Sequence, residues 1–541
     1  MLVPLSLVDN AVADMGITCA FLFGLPGGSD DASAKQVLDD LRAATQRVVE
    51  KWALLQGKPV WSKEKGIWTI DVPETPLAQE RPFLFTSERV HKAYAAAASL
   101  STLPQPLDTS SPCAFQPAHD LLHFRRPDLP STFADWAKKG ASLLAVHATV
   151  FDDALAVGVT TPHGLLDATG TGWAVRALTA ELHHQPWDVP PSTWARNALT
   201  DKFDEVVARP VSDDPEDVRI AKSALPGWVP AAKVGNIARF LVGYVWEKKW
   251  HKDESRHVFL SKKAVEALTK SVKDQVRDET GGKEWVSTGD VLTAWAAKAL
   301  FGHEPRSGAS ALLSPVYALR DILALPDYPA NSMCPYPFSP FPIPYSTFPT
   351  LSLATLALNH RRCLLLARKE PFLQATLKVM LAQAKGNLPL MPFKPWPWEK
   401  KGTQVFIVSN QATADVAGLS IPRPSSAPVA TASAADEDEG TLHDVDVSSP
   451  PSRKGSAASS TAAAASSASS DLPLLAYYMR ITSPLSDHTS FRFQVNDQGY
   501  FFEGAMRRKR WQGVERAVEQ LEREFGHGAA AAAAPPVGEK Q

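Results

Sequence analysis

The stretch Thr161-Pro-His-Gly-Leu-Leu-Asp-Ala-Thr-Gly170 lies where a Val- and Ala-rich segment ends and a helical pattern begins. Residues 143–161 are predicted to form two strands separated by the turn pair Asp152-Asp153. His163 and Asp167 therefore occupy a short loop between a strand and a helix, where a rigid scaffold often presents functional side chains. The helix is indicated by positions with helical spacing at Thr171, Val175, Leu178 and Leu182.

The spacing His-x-x-x-Asp occurs twice, so the motif alone is weak evidence. With 14 histidines in the chain, about one such match is expected by chance. The second match, His184-Gln-Pro-Trp-Asp188, contains a proline and is interpreted as a helix exit. His163 is favoured because small residues, Gly164 and Gly170 among them, surround it and would let a bulky substrate approach. The alternative is a structural histidine at a strand end, whose ring forms its hydrogen bonds with the backbone.

The length predicts two domains, since a single core rarely grows beyond ~250–300 residues. The chain has 541 residues, and a Pro-rich, charged segment near its middle is interpreted as the crossover between the domains. A later Ala/Ser/Pro-rich segment is predicted to be a disordered insertion, because it has too little apolar surface to fold. The predicted ranges are 1–190 for the first domain, 191–230 for the crossover, 231–422 and 473–527 for the second domain, 423–472 for the insertion and 528–541 for a disordered tail.

Local patterns predict the main elements of both domains. Residues 33–55 form an amphipathic helix that Ser33 and Gln36 would cap. The alternation of prolines with aromatic residues over 328–349 excludes regular structure there. The other predicted helices and strands are strand 60–71, helix 287–300, apolar segment 311–319, strands 404–409, 474–482, 490–495 and 499–504, and a last helix carrying Val514, Val518, Leu521 and Phe525.

Charge and cysteine usage exclude several classes of protein. With 56 basic and 58 acidic residues the net charge is −2, so no positive field for nucleic acid is expected. The basic run 507–510 is interpreted as a solvated face. Four scattered cysteines indicate neither a zinc site nor disulfides. Because no apolar run reaches the ~18–20 residues of a membrane span and no signal peptide is evident, we expect a cytoplasmic protein. We also expect it to be a monomer and to bind no metal.

Several motifs, in order along the chain, resemble the BAHD and fungal O-acyltransferase family. The segment His163 to Gly170 is similar to the fungal form HxxxDAxG of its motif. The remaining matches are short segments that appear in the order of the family and span nearly the whole chain outside the Ala/Ser-rich segment. They are Pro4 to Asn10, the helix ending at Gly57, Val286 to Trp295, Arg320 followed by Tyr328-Pro-Ala-Asn331, and Phe406 to Asn410.

The resemblance implies an α/β fold of two chloramphenicol-acetyltransferase-like domains with mixed sheets and a tunnel between them. His163 would be the general base, and Asp167 would pair with Arg320 to fix the catalytic loop. Gly164, Gly170, Asn331, Ser409 and Asn410 would line the tunnel. The co-substrate would be acyl-CoA, most simply acetyl-CoA, with no permanently bound cofactor, and the acceptor would be a small-molecule hydroxyl group.

One motif departs from the family pattern, and other functions remain open. The plant members carry Asp-Phe-Gly-Trp-Gly where this chain has Ala414 to Leu419. A condensation-type enzyme with a carrier-protein donor usually has two adjacent histidines, but Pro162 precedes His163 here. The third possible function is that of a non-catalytic binding protein of the same fold. The acceptor is expected to be a secondary metabolite or a glycolipid such as a mannosylerythritol lipid.

Overall fold

A computed structural model provides the fold of this chain. It describes residues 1–25, 31–74, 83–97, 113–117, 121, 123–190, 196–224, 253–302, 310–326, 328, 333–334, 343–344, 346–385, 403–424, 471–482 and 489–525.

The described residues form sixteen strands. The strands of the first half are β1 (Leu2–Pro4), β2 (Gly16–Gly24), β3 (Lys58–Ser62), β4 (Ile67–Asp71), β5 (Leu84–Arg89), β6 (Cys113–Pro117), β7 (Ala145–Val150) and β8 (Ala154–Pro162). Those of the second half are β9 (Asp253–Ser261), β10 (Ser310–Ala318), β11 (Met333–Cys334), β12 (Ile343–Pro344), β13 (Thr403–Asn410), β14 (Leu474–Thr482), β15 (Thr489–Val495) and β16 (Gly499–Arg507).

Twelve α-helices accompany these strands in the described part of the chain. They are α1 (Leu7–Ala11), α2 (Asp31–Lys51), α3 (Tyr94–Ala97), α4 (Phe133–Lys139), α5 (Ala168–Leu182), α6 (Ala198–Ala208), α7 (Pro215–Ser223), α8 (Lys262–Thr280), α9 (Thr288–Phe301), α10 (Leu353–Ala367), α11 (Glu370–Lys385) and α12 (Arg508–Phe525). A single 3₁₀ turn, Ala53–Gln56, follows α2.

The first core surrounds a mixed five-stranded sheet with the order β14-β2-β8-β7-β5. Every residue of β8 is buried, as expected for a central strand that is covered on both faces. Helices α2 and α5 pack on one side through Val37, Leu41, Val48, Val175 and Leu178. The strand that leads to His163 is therefore one of the most deeply buried parts of the molecule.

The second core surrounds a larger mixed sheet, in which β11-β10-β13-β15-β16-β9-β6 are neighbours and β12 also pairs with β10. Helices α8, α9, α10 and α12 cover it with apolar side chains that include Val265, Leu292, Leu356 and Val514. The α/β class with two mixed sheets and flanking helices, which the sequence predicted, is confirmed. A separate three-stranded sheet, β1-β4-β3, lies beside the first core.

The two sheets exchange strands across the predicted domain boundaries. Strand β14 lies in the range assigned to the second domain, but it pairs with β2 from Tyr477 opposite Phe21 to Thr482 opposite Gly16. Strand β6 lies in the first range but pairs with β9. The sheet pairing therefore does not follow the division at residues 190 and 473, because strand pairing depends on packing and not on proximity along the chain.

Three local predictions differ from the structure. Helix α2 already includes Ser33, so the capping box that Ser33 and Gln36 were expected to form at its start is wrong. Residues 60–71 form the hairpin β3-β4, with Gly66 at φ +63°, instead of one strand. Arg510 is only 4% exposed and its guanidinium lies 5.2 Å from the ring centroid of Phe301, so the basic run is not a wholly solvated face. The segment 191–230 contains α6 and α7, and its role as a crossover between domains stays a prediction.

Several other features bear on the remaining predictions. Regular structure within 328–349 is limited, among its described residues, to the two-residue strands β11 and β12. Most of the Ala/Ser-rich segment and the whole predicted tail lie outside the described residues. No described helix has both the length and the apolar character to cross a membrane.

Candidate functional site

His163 lies in the loop between strand β8 and helix α5. Strand β8 ends at Pro162, which pairs with Gly16 of β2. The backbone N–H of His163 donates to the carbonyl oxygen of Met15 over 2.8 Å, and the residue is 5% exposed. The loop that carries the imidazole is thus anchored to the neighbouring strand before α5 begins.

Asp167 has two structural partners. Its carboxylate caps α5, because Oδ1 accepts the backbone N–H of Gly170 over 3.0 Å. Arg320 Nη2 donates to the same oxygen over 2.7 Å, and both side chains are about 95% buried. The contact that the resemblance implied between Asp167 and Arg320 is formed. It ties the start of α5 to the segment after β10.

A buried polar network continues from Arg320. Its Nε donates to the backbone carbonyl oxygen of Tyr328 over 2.7 Å. The hydroxyl of Tyr328 donates to Asp9 Oδ2 over 3.3 Å and accepts from Asn197 Nδ2 over 2.7 Å. Asp9 lies within the family-like segment Pro4 to Asn10, but neither Asp9 nor Asn197 was predicted as a site residue. The only local signal was the pattern Ser6-x-x-Asp9, which forms a capping box at α1.

The surroundings of His163 favour its neutral form. Burial lowers the pKa of the imidazole below its usual 6.5 and is the largest effect. Hydrogen bonds with the backbone of His163 itself and of Leu166, and the charge of Asp167, raise the pKa in part, while the charge of Arg492 lowers it. A neutral imidazole can accept a proton, which is the property that a general base needs.

The two glycines of the motif have packing and capping contacts. A β-carbon on Gly164 would lie 2.1 Å from Cε2 of Phe133 and 3.0 Å from Cα of Ala13, so only glycine fits there without movement. Gly170 is buried and donates to Asp167. These contacts explain why the positions are small, and a role of either glycine in a tunnel stays a prediction.

Three further predicted tunnel residues lie on the second half of the chain. Ser409 and Asn410 end β13, and Asn410 Nδ2 would be 2.4 Å from a β-carbon on Gly289, in the first turn of α9. The side-chain oxygen of Asn410 accepts the N–H of Ala412 over 3.0 Å. Asn331 lies outside the described residues. The role of all three as tunnel residues stays a prediction.

The segment that replaces the plant motif docks on α5. A β-carbon on Gly172 would lie 1.6 Å from the carbonyl oxygen of Ala414, so the two backbones touch. Thr179 Oγ1 donates to the carbonyl oxygen of Gly418 over 3.4 Å and accepts the N–H of Ser420 over 3.2 Å. Although its sequence differs from the family pattern, the segment contacts the helix that follows the His163 loop.

We expect Gly172→Ala to destabilise the protein by about 1–3 kcal/mol or more, since the new methyl group would collide with backbone. Chemical denaturation should show the loss. The matched control is Arg176→Ala on the same helix, which removes only a half-exposed ion pair with Asp415 at 3.5 Å and should leave the denaturation midpoint nearly unchanged. Equal stability of Gly172→Ala and the wild type would contradict the close backbone contact.

The described residues contain no group of three or more His, Cys, Asp or Glu side chains that could hold a metal ion. The arrangement of two mixed sheets, with an HxxxD histidine at a strand-to-helix junction and an aspartate paired with a distant arginine, agrees with the fold that the sequence resemblance implied.

Comparisons with known proteins find relatives that are named acetyltransferases or O-acyltransferases and others that are named transcriptional regulators. No protein-family model matches the chain. It is 27% identical over 227 residues to acetyltransferase BOT5 of Botryotinia fuckeliana, covering 41% of this chain and 39% of that protein. It is also 27% identical over 286 residues to transcriptional regulator calD of Penicillium decumbens, covering 50% and 53%. The chain thus spans about half, or less, of these curated relatives.

The fold is shared with TRI101 of F. sporotrichioides, whose structure was solved in complex with coenzyme A and T-2. The TM-score is 0.56 at 11% identity, and the alignment covers 95% of this chain and 97% of that one. A likeness at this identity shows the shared fold alone, over nearly the full length of both chains.

Proposed function

We propose that the protein is an acyl-CoA-dependent O-acyltransferase, most simply an acetyltransferase, that acylates a hydroxyl group of a secondary metabolite or glycolipid. The observation that carries the proposal is the buried, neutral His163 in a loop that Asp167 and Arg320 hold in place. It is supported by relatives that are named acetyltransferases and O-acyltransferases. The coenzyme A in the TRI101 complex supports a coenzyme A thioester as the donor.

The proposed mechanism is a direct transfer. His163 accepts the proton of the acceptor hydroxyl as its oxygen attacks the thioester carbonyl carbon, and a tetrahedral oxyanion forms. Collapse of this intermediate breaks the carbon–sulfur bond, and the imidazolium returns the proton to the departing thiolate. An ester and free coenzyme A result, and His163 is neutral again. Asp167 acts as a positioning residue in this scheme, because its carboxylate is hydrogen-bonded to Arg320 and to the start of α5.

The function is tested by measuring the release of free coenzyme A from acetyl-CoA in the presence of terpenoid, polyketide and sugar-lipid alcohols. We expect release that depends on the acceptor, and mass spectrometry should detect the matching ester. Absence of an ester with every alcohol, combined with transfer from an acyl carrier protein, would favour the condensation-type alternative. Inactivity with both donors would favour a non-catalytic protein of the same fold.

The pH dependence of kcat/KM should reflect the environment of His163. Because burial lowers its pKa, the imidazole stays neutral, and therefore competent as a base, at pH values where an ordinary histidine is protonated. The acidic limb of the kcat/KM profile should therefore have its midpoint below 6.5. A midpoint above 6.5 would show that the base is either another group or a histidine stabilised in its charged form.

A further inference from the structure

Polar side chains form a row on the larger sheet where it faces the smaller one. Arg492 of β15 lies directly opposite Glu503 of β16, and Glu503 lies opposite His257 of β9. Glu503 is 8% exposed and Arg492 is 9% exposed. Charged groups buried this deeply between two sheets are costly, so their placement calls for a partner or a function.

Glu503 lines a small cavity between the sheets. Gln494 and His257 are the other polar groups of its wall, and β14 supplies Tyr477, Tyr478 and Met479 from the opposite side. The aromatic contacts that close the cavity join both sheets, since Tyr477 lies 5.7 Å from Phe501 between ring centroids. The cavity has room for a group about the size of one water molecule.

One oxygen of Glu503 remains available to a ligand. Arg492 Nη1 lies 3.6 Å from Oε1, which is an ion pair without a hydrogen bond. Oε2 is buried and has no hydrogen-bond partner among the described residues. A buried carboxylate oxygen without a donor loses the free energy of its hydration, so a donor that enters the cavity would bind favourably.

The strand register relates this cavity to His163. Met479 of the cavity wall pairs with Cys19 of β2, and Gly16, three residues earlier on the same strand, pairs with Pro162 beside His163. Three residues of strand span about 10 Å. Arg492 connects the two places electrostatically, because its charge lowers the pKa of both Glu503 and His163.

We propose that this cavity is a subsite for a second hydroxyl group of the acceptor, which donates a hydrogen bond to Glu503 Oε2. The inference rests on the proposed function and adds a substrate class to it: an apolar acceptor with a second hydroxyl group remote from the one that is acylated. A hydroxyl fits better than an ammonium group, because Arg492 and Arg480 already supply positive charge to Glu503. The aromatic walls suit the apolar body that joins the two hydroxyl groups.

The test compares a rigid tetracyclic diol, with hydroxyl groups at its two ends, with the mono-alcohol that lacks the distal one. The double variant Arg492→Met/Glu503→Leu removes both charges and leaves neither unpaired. The ratio of kcat/KM for the diol to that for the mono-alcohol should fall about tenfold to a hundredfold in this variant, the usual worth of a hydrogen bond to a charged group. Tyr500→Phe, on the opposite face of β16, is the matched control and should keep the wild-type ratio.

The pH dependence of the same ratio provides a second measurement. Burial raises the pKa of Glu503 to about 7, so its carboxylate, the better acceptor, predominates above that pH. The preference of the wild type for the diol should therefore increase as the pH rises through about 7. Protonation of His163 affects both substrates and cancels in the ratio. His257 also faces Glu503. The double variant retains His257, so any pH dependence of the ratio that remains in this variant measures the contribution of His257. Tyr477 and Cys19 stay neutral because burial raises their pKa values.

The outcomes separate the subsite from the function. Acyl transfer to both alcohols with the same ratio in the wild type and the double variant would overturn the subsite, which would then hold a resident water only, and would leave the acyltransferase proposal intact. A ratio that falls only in the double variant supports the subsite. No transfer to any alcohol would overturn the acyltransferase proposal first, and the subsite with it.

Discussion

Replacing His163 with alanine is expected to reduce kcat/KM for acyl transfer by about 100- to 10,000-fold, the usual contribution of a general base. The hydroxyl group would then attack the thioester without a group to take its proton. Free coenzyme A formed in a stopped assay measures the effect. The side chain is buried, so circular dichroism and the denaturation midpoint should be recorded for the variant to separate loss of chemistry from loss of fold.

The matched control is the histidine of the second HxxxD sequence. His184 is exposed and has a positive φ of 52°, so His184→Asn preserves a residue type that tolerates this conformation. Its activity should equal that of the wild type. If both variants lost activity to the same degree, or if His163→Ala kept it, His163 would not be the base.

Replacing Asp167 with alanine is expected to lower the free energy of unfolding by about 3–5 kcal/mol, since it leaves the guanidinium of Arg320 buried without its carboxylate. Loss of the helix cap adds about 1 kcal/mol. Activity should fall as well, because the loop that carries His163 loses its anchor. Urea denaturation measures the stability, and kcat/KM measured well below the midpoint separates the two effects.

An exposed pair provides the control for Asp167. Glu216→Ala breaks a solvent-exposed pair with Arg219, and the denaturation midpoint should not change measurably. Arg320→Lys is expected to be nearly as harmful as Asp167→Ala, because lysine cannot bond both Asp167 and the carbonyl of Tyr328 with fixed geometry. A stable, fully active Asp167→Ala protein would show that the buried pair is dispensable.

The sequence predicted the junction that carries His163 because its signals are local. The apolar strand before Pro162, the turn Asp152-Asp153 and the helical spacing after Asp167 each depend on neighbouring residues. The helix predicted over 287–300 depends on the same kind of local signal, and the structure has α9 there, from Thr288 to Phe301. The contact of Asp167 with Arg320 came from the family resemblance, because nothing local relates two residues 153 positions apart.

The parts that could not be predicted depend on pairing over long distances. Strand β14 was recognised from its pattern, but alternation does not specify that its neighbour is β2, more than 400 residues away. The contact of Asp9 with Tyr328 could not be predicted for the same reason, because the two residues are 319 positions apart in the sequence. Glu503 looked like an ordinary polar position of a strand, and only the packing of the two sheets reveals that it is buried.

The measurement that tests the central claim most directly is a single-turnover experiment with an excess of protein over labelled acetyl-CoA. The account predicts that the label passes to the acceptor at the same rate as coenzyme A is released, with no label on the protein at any time, and that His163→Ala shows neither event. Label bound covalently to the protein, or release of coenzyme A at the same rate with and without the acceptor, would contradict direct transfer by His163.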